Sequence, residues 1–402
     1  MRIRSIVYSA CLIGNLAVFQ PAQGLCQEYA SADRVQLHRA QTVLDTIYAK
    51  YAADHTFLLR ENYPYDRTYR ADYLASDPNS TTNAYAYLWP FSGTLSAANV
   101  LFERTGDTAY LRLIDSRILP GLQAYYDDSR QPAAYASYIR SEGLSDRFYD
   151  DNIWLGIDFA ELYLQGRRHE YLTKAEEIWA FVTSGQDALL GGGVYWCEQK
   201  KESKNACSNA PAAVFALRLF EATGDSLYFH QGREWYAWTK KWLQDPEDGL
   251  YWDNVSLEEK VDKHKYPYNS GQMLQAAALL YRLTEDRSYL VDAQRIAESG
   301  YGFFFEDVTG RDGKSRKLLK RSNNWFIAVM LRGYVELFGI DGNRSYLEAF
   351  RESLDYAWEH ARSQEGLFGQ EWKGAGQKSK PLKWLLDQAA MAEMYARIAG
   401  VF

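Results

Sequence analysis

The sequence contains little cysteine, little histidine and no excess of positive charge. It has four cysteines and six histidines in 402 residues, and its formal net charge is −7 at pH 7. The histidines are scattered, and no histidine–cysteine group has the spacing of a metal site, so neither a metal nor another cofactor is expected. Because no basic stripe runs along the chain, we do not expect nucleic acid as a partner.

Long apolar segments are also scarce, and the one at the N-terminus is too short to span a membrane. Two arginines precede an apolar stretch of about a dozen residues, and small residues follow at 22–24, which is typical of a secretory signal peptide. We predict a signal peptide over 1–24 and a single catalytic domain over 25–402. We therefore expect a protein that is secreted, periplasmic or at the cell surface, with no membrane span. We also expect a monomer, although no sequence feature indicates the oligomeric state. Lipid anchoring at Cys26 is not expected, because Leu25 is a poor residue to stand directly before a lipidated cysteine.

Two of the cysteines could form a bond in such a compartment. Cys197 and Cys207 bracket one loop, and oxidising conditions would allow a disulfide that closes it. The alternative is two unpaired thiols. We predict the disulfide.

What the sequence does contain is an internal repeat. Five copies of a short motif, each with a tyrosine at the same place, recur every 57 to 61 residues. Such a fixed period indicates an architecture built from repeated units. The copies are TGDTAYL (105–111), RRHEYL (167–172), TGDSLYF (223–229), TEDRSYL (284–290) and DGNRSYL (341–347).

Each motif lies between two helical patterns. The segment before it, such as GQMLQAAALLYRL (271–283), is apolar on most faces and predicts a buried helix. The segment after it, such as YLVDAQRIAESGYGFF (289–304), alternates polar and apolar residues at the helical period and predicts an outer helix. Glycine and Asp or Asn in the motif suit the turn between them. Helices around 33–54 and 381–398 would form a sixth pair.

Six helical hairpins that close on themselves form an all-α (α/α)6 barrel, and this is the predicted fold. The alternative is an open solenoid, which needs polar capping helices at both ends. The last helix, PLKWLLDQAAMAEMYARIA (381–399), is as apolar as the inner ones. Its composition favours closure.

Aromatic and polar residues gather near the predicted starts of the inner helices, about 20 residues before each repeat tyrosine. In a ring of parallel inner helices these starts meet around one mouth. Aromatic rings beside amides and carboxylates suit a neutral polyol, because ring faces stack on sugars and polar groups bind hydroxyls. The candidate substrate-binding residues are Trp89, Tyr149, Asn152, Trp196, Asn205, Asn209, Asp253, Tyr268, Asn269, Asn324 and Trp325.

Two adjacent aspartates, Asp150 and Asp151, stand out at this mouth. An aspartate at a helix start is most often a cap. The second interpretation is catalysis, because a retaining glycosidase uses two carboxyls roughly 5–5.5 Å apart, one as nucleophile and one as acid. The helix N-terminus would stabilise the anionic nucleophile. Spacing alone does not assign the two roles.

Several blocks occur in an order that resembles glycoside hydrolase family 76, the α-1,6-mannanases, most strongly over residues 80–305. The resemblance implies an (α/α)6 barrel, endo-acting hydrolysis of α-1,6-mannan backbones with retention, and α-mannan or a mannose-containing oligosaccharide as partner. It also implies that the first aspartate, Asp150, is the nucleophile and the second, Asp151, the acid/base. The blocks are YDDNIW (149–154), GGGVYW (191–196), KNACSNAPAA (204–213), ALRLFEATGDSLY (216–228), GLYWDN (249–254) and YNSG (268–271).

Two other functions are compatible with the same fold. One is a transglycosylase of the family, or an enzyme that cleaves another α-linked glycan. The other is a non-catalytic glycan-binding protein, whose signature would be the loss of one aspartate. Both aspartates are present, so the hydrolase is the primary prediction.

Overall fold

A computed structural model gives the backbone over most of the chain. The predicted signal peptide lies almost entirely outside the described residues, so the signal peptide and the boundary of the domain at residue 25 stay predictions. Side chains are described from residue 33 onward. The described ranges are 22–71, 73–75, 83–309, 313–372 and 382–401.

The described chain is mainly helical, with short strands between some helices. A π-helical turn over Ile114–Ile118 joins the helices Thr108–Leu113 (α3) and Leu119–Leu122 (α4), so these two form one outer helix. In chain order the α-helices are α1 (Ala22–Lys50), α2 (Leu88–Thr105), α3 (Thr108–Leu113), α4 (Leu119–Leu122), α5 (Tyr149–Gly166), α6 (His169–Ser184), α7 (Ala206–Thr223), α8 (Ser226–Leu243), α9 (Pro267–Thr284), α10 (Arg287–Phe304), α11 (Asn324–Asp341), α12 (Ser345–His360) and α13 (Leu385–Ile398).

Six of these helices form an inner ring. Helices α2, α5, α7, α9, α11 and α13 each contact the next one, and α13 contacts α2, so the ring is closed. The remaining helices form the outer layer, in which α1 packs on α13 and completes the sixth pair. The predicted (α/α)6 barrel is therefore confirmed, and the open solenoid is excluded.

Burial follows the two predicted patterns. In α7 every residue from Ala206 to Leu217 is buried, as an inner helix requires. In α10 only one face is buried, at residues such as Ala293, Ile296 and Gly300, which recur at the helical period. The apolar content of the inner helices thus follows from contact with neighbours on all sides.

Glycine allows the closest approach between inner helices. A Cβ on Gly271 of α9 would lie 2.3 Å from the Cα of Met330 on α11, and one on Gly333 would lie 2.3 Å from the carbonyl oxygen of Gly271. Only residues without a Cβ fit at this crossing.

The turns between inner and outer helices are short and capped. Gly106 and Gly224 end α2 and α7 in the left-handed conformation. Asp107, Asp225 and Asp286 then cap the outer helices, each accepting a hydrogen bond from a backbone N–H two residues on. This confirms the turn chemistry predicted from the repeat motif.

The opposite end of the barrel carries the long connections, from each outer helix to the next inner helix. Their strands pair antiparallel as β1–β9, β2–β3, β4–β5–β6 and β7–β8. All therefore surround the end where the inner helices begin, which is the mouth of the barrel. The strands are β1 (Asn62–Tyr63), β2 (Tyr126–Asp127), β3 (Ala134–Tyr135), β4 (Ser203–Asn205), β5 (Trp252–Ser256), β6 (Val261–Lys265), β7 (Phe305–Thr309), β8 (Ser315–Leu319) and β9 (Lys383–Trp384).

A helix that crosses a membrane must be both long and apolar. Across the ranges given above, no helix has both the length and the apolar character that a crossing requires.

Candidate active site

A cavity of about 490 Å³ opens at the mouth, between the first turns of the inner helices. It brings together residues that are far apart in the sequence and that come from five of the inner helices or the loops before them. Eight of the predicted site residues line it: Trp89, Asp150, Asp151, Trp196, Asn205, Asp253, Tyr268 and Trp325.

The two aspartates do not cap their helix. Phe148 is the N-cap residue of α5, and its side chain makes no capping hydrogen bond. Asp150 and Asp151 follow inside the first turn, and both line the cavity. The capping interpretation is therefore wrong, since neither carboxylate occupies the capping position.

The Asp150 carboxylate accepts hydrogen bonds from several donors. The indole Nε1 of Trp196 donates to Oδ2 at 3.1 Å, and the backbone N–H of Asp151 donates to Oδ1 at 3.1 Å. The thiol of Cys207 also donates to this carboxylate. Burial raises the pKa of Asp150 to about 7, and the three donors oppose that rise because they stabilise the ionised form.

The environment of Asp151 differs. Burial raises the pKa of Asp151 well above its ordinary value, and the charge of Asp150 raises it further, with no hydrogen bond to set against either effect. The two carboxyls therefore differ in proton affinity: the ionised form is favoured for Asp150 and the protonated form for Asp151. Two neighbouring carboxyls with such different environments are typical of an acid and a nucleophile.

Aromatic rings form much of the cavity. Tyr268 and Phe326 stack face to face, with centroids 3.9 Å apart and planes 7° from parallel. Phe326 also stacks on Trp89, at 6.2 Å and 20°. Trp154 and Trp325 meet edge to face deeper in the barrel, at 6.2 Å and 88°. Such rings suit the apolar faces of a pyranose.

Polar groups complete the lining next to these rings. Asp253, on β5, accepts from the side-chain amide of Asn254 at 2.9 Å and from that of Asn269 at 3.4 Å. Burial raises its pKa, and the two amides oppose that rise. Asn205 accepts from the hydroxyl of Ser203 at 2.7 Å. These groups can bind sugar hydroxyls.

Two of the predicted binding amides have a structural role instead. Asn152 accepts from the backbone N–H of Tyr135 at 2.8 Å and donates to the carbonyl oxygens of Tyr135 and Phe148, both at 2.9 Å. Asn209 makes the corresponding bonds to Val194: it accepts from the backbone N–H at 2.6 Å and donates to the carbonyl oxygen at 2.8 Å. Both amides are fully buried and lie outside the cavity lining, so in this structure they hold the loops rather than line the cavity.

The same arrangement occurs a third time. Gln388 accepts from the backbone N–H of Phe368 at 2.8 Å and donates to its carbonyl oxygen at 3.0 Å. Asn152, Asn209 and Gln388 each occupy the fourth position of their inner helix. The repeat thus places an amide that fixes the preceding loop, and this positions the residues that line the mouth.

Three further predicted residues also lie outside the cavity lining. Tyr149 is buried and stacks on Phe181, with centroids 4.7 Å apart. Asn324 is buried and donates to the carbonyl oxygen of Gly369 at 3.2 Å. Asn269 donates its side-chain amide to Asp253, as described above. All three therefore support the cavity from outside its lining instead of facing into it.

The predicted disulfide is absent. Cys197 and Cys207 are both free and buried. The thiol of Cys197 lies 3.8 Å from the Oε1 of Gln199, whereas Cys207 lines the cavity, where it donates to Asp150 and accepts from the hydroxyl of Tyr268. The two thiols thus face different surroundings, and only Cys207 of the two lines the cavity.

Several lining residues were not predicted. Tyr73, Tyr87 and Tyr266 come from loops without a helical or repeat pattern, and Phe326 follows the predicted Trp325. The position of Phe326 next to Trp325, in the first turn of α11, could have identified it. Within the described ranges, no group of three or more histidine, cysteine, aspartate or glutamate side chains could hold a metal.

Comparisons with known proteins agree with this geometry. A model of the family named glycosyl hydrolase family 76 matches residues 65–398. The solved glycoside hydrolase family 76 (mannosidase) Bt3792 from Bacteroides thetaiotaomicron VPI-5482 is 30% identical, with a TM-score of 0.82 over 90% of this chain and 98% of that one. The GH76A α-1,6-mannanase from Salegentibacter sp. HEL1_6 is 25% identical, with a TM-score of 0.72 over 91% of this chain and 100% of that one.

The curated relatives align over shorter stretches. Mannan endo-1,6-alpha-mannosidase DCW1 of Candida glabrata is 30% identical over 107 residues, which is 23% of this chain and 23% of that protein. The curated relatives are matched over 23% to 38% of their own length.

Proposed function

This chain belongs to glycosyl hydrolase family 76, and from that membership we propose that it is a secreted endo-α-1,6-mannanase that cleaves with retention. The family and the prediction of a glycoside hydrolase are confirmed. The substrate linkage, the stereochemistry and the secretion are our proposal. The observation that carries it is the pair of adjacent carboxyls with opposite environments, in a cavity lined by aromatic rings.

In the proposed mechanism Asp150 attacks the anomeric carbon while Asp151 protonates the departing glycosidic oxygen. The bond between sugar and leaving group breaks, and a covalent glycosyl–Asp150 ester forms. Asp151, now ionised, takes a proton from water, and the water oxygen displaces Asp150. Two inversions give overall retention.

The environments support these roles rather than the reverse. Three donors stabilise charge on Asp150, whereas burial and the neighbouring charge favour a proton on Asp151. Both residues also lie in the first turn of α5, where the helix dipole favours an anion. Protonation of Asp151 and ionisation of Asp150 are the states that the first step needs.

The cavity and the relatives support mannan as substrate. Stacked aromatic rings with few charged side chains apart from the carboxylates suit a neutral glycan. The related proteins are named a mannosidase, an α-1,6-mannanase and a mannan endo-1,6-alpha-mannosidase. The Salegentibacter enzyme has also been solved as an inactive variant, with two adjacent aspartates replaced, in complex with α-1,6-mannotriose.

Hydrolysis of debranched α-1,6-mannan tests the proposal. Wild-type protein should release short manno-oligosaccharides whose first-formed anomer, observed by NMR, is α. Asp150→Asn and Asp151→Asn should fold but lose nearly all activity. The matched control is Asp128→Asn, an exposed aspartate outside the cavity, which should cleave as the wild type does.

Other outcomes would contradict the proposal in different ways. A β-anomer as first product would overturn retention, and intact mannan would overturn the substrate. Products longer than the substrate, formed with a sugar acceptor present, would indicate a transglycosylase instead.

A further inference from the structure

One wall of the cavity rests on a single buried carboxylate. Glu61, just before β1, is 4% exposed. Its Oε1 accepts from the hydroxyl of Tyr73 and from the indole Nε1 of Trp384, both at 2.6 Å. Its Oε2 accepts from the backbone N–H of Tyr87 at 2.9 Å. The carbonyl oxygen of Glu61 also accepts from the backbone N–H of Leu385, at the start of α13, at 2.9 Å.

The donors belong to a cluster of four rings, which we call the aromatic wall: Tyr73, Tyr87, Trp89 and Trp384. Tyr73 meets Trp89 edge to face at 5.4 Å and 86°, and Tyr87 at 5.9 Å and 80°. Trp384 lies 5.4 Å from both Tyr73 and Trp89. The first three rings line the cavity.

These rings come from three separate parts of the chain. Tyr73 lies in the loop between β1 and α2, Tyr87 and Trp89 lie at the start of α2, and Trp384 ends β9. No single helix or strand sets their mutual positions. Glu61 does so, because its two oxygens bond a group from each part.

We propose that Glu61 is a positioning residue that determines how tightly the cavity binds its glycan, by holding the aromatic wall in place. The hydrogen bonds of its carboxylate go to the aromatic wall and not to Asp150 or Asp151, so it acts on binding rather than on the chemistry. The inference rests on the proposed function for the identity of the ligand, an α-1,6-mannan chain.

The arrangement requires an ionised carboxylate. Three donors point at Glu61, and an ionised carboxylate offers only acceptors. In a glutamine one side would carry an NH2 group, which would face either the Tyr87 N–H or the Tyr73 and Trp384 donors. No orientation of the amide satisfies all three, and an unsatisfied buried donor is costly. Burial raises the pKa of Glu61 to about 7, while the three donors oppose that rise.

The experiment compares Glu61→Gln and Tyr73→Phe with wild type, using α-1,6-mannotetraose above neutral pH, where Glu61 is ionised. Tyr171→Phe is the matched control, because it also removes a hydroxyl that donates to a carboxylate, that of Asp115 at 2.7 Å, but on the outer layer. KM should rise about tenfold for Glu61→Gln and less for Tyr73→Phe, with kcat within about twofold of wild type. The control should change neither constant.

Melting curves establish which variants are folded. An unchanged KM in folded Glu61→Gln would overturn the proposal, and so would a fall in kcat at constant KM. If Glu61→Gln does not fold, Tyr73→Phe decides: an unchanged KM again overturns the proposal. Failure of the wild type to cleave the mannotetraose would instead overturn the proposed function. Calorimetric titration of wild type, Glu61→Gln and Tyr73→Phe with that sugar would then test the role of Glu61 by affinity alone.

Discussion

At the residue scale, the two adjacent carboxyls differ in the hydrogen-bond donors that surround them. Asp150 receives bonds from Trp196, the backbone of Asp151 and Cys207, whereas burial and charge alone act on Asp151. Other titratable groups near the pair are Cys197, Tyr268 and Asp253. The sequence shows the two aspartates but not their neighbours, so the roles become arguable only in three dimensions.

The thiol of Cys207 offers a direct test of this distribution. Removing a donor destabilises ionised Asp150 and raises its pKa, so Cys207→Ala should move the acidic limb of kcat/KM to higher pH, by up to about one unit. Cys207→Ser keeps a donor and should restore the limb. A pH–rate profile on α-1,6-mannan measures both.

The control for that profile is Cys197→Ala, since this buried cysteine makes no hydrogen bond to Asp150. Its limb should remain at the wild-type pH. An unshifted profile in folded Cys207→Ala would show that the thiol does not influence the nucleophile.

The leaving group distinguishes the two aspartates. Asp151→Asn should lower cleavage of mannan by about 10²–10⁴-fold, the usual contribution of a general acid. On an aryl α-1,6-mannobioside the same variant should form the glycosyl–enzyme at close to the wild-type rate, because the activated phenolate leaves without protonation. Asp150→Asn should abolish both reactions. Equal losses on the two substrates in Asp151→Asn, measured by stopped-flow release of the phenol, would contradict the assignment.

At the element scale, three of the loops at the mouth are each tied by an amide side chain to the first turn of an inner helix. Asn152→Ala would leave the backbone N–H and carbonyl groups of Tyr135 without their partner. Unfolding by urea should show a loss of about 2–4 kcal/mol, because each unsatisfied buried group costs about 1–3 kcal/mol. Removing an ordinary helix cap with Asp225→Ala should cost only about 1 kcal/mol. Equal losses in the two variants would mean that the amide has no special role.

The same elements show what the sequence could and could not predict. The helix pairs could be predicted from the sequence because short turns with glycine and Asp recur at a fixed spacing. The apolar pattern of each helix also predicts which of its faces are buried. The backbone bonds of Asn152 and Asn209 could not be predicted, since an amide at a helix start looks the same in sequence whether it binds a sugar or a backbone. Glu61 and Tyr73 were missed because their loop has no periodicity.

At the scale of the whole molecule, a buried ion network joins inner helices α11 and α13 below the cavity. Glu393 accepts from Arg332 at 2.7 and 2.8 Å and from Arg397 at 2.6 Å. Burial acts to raise the pKa of Glu393, but the two guanidinium charges outweigh it and lower the pKa to about 2. Arg332 also lies over the rings of Trp154 and Trp325, so the network supports the deep end of the cavity.

Because the folded-state pKa is depressed, this carboxylate stabilises the protein above its ordinary pKa of 4.5, and the contribution is lost as pH falls towards about 2. Glu393→Gln should therefore lower the free energy of unfolding at neutral pH, by about 3–5 kcal/mol, since it removes the carboxylate that pairs with buried Arg332 and leaves Arg397 only its 4.0 Å ion pair with Glu161. The Glu393→Gln variant should also lose less stability than wild type as the pH falls from 4.5 to about 2. Denaturation curves across that range measure both effects, and parallel curves for the two proteins would contradict the account.

Trapping the covalent intermediate would identify the nucleophile, which we propose to be Asp150 of a retaining enzyme. A fluorinated mannosyl fluoride reacts quickly with the nucleophile but slows release of the sugar. Peptide mass spectrometry after digestion should find one mannosyl label, on Asp150. A label on Asp151, or inverted product with no label at all, would contradict the account.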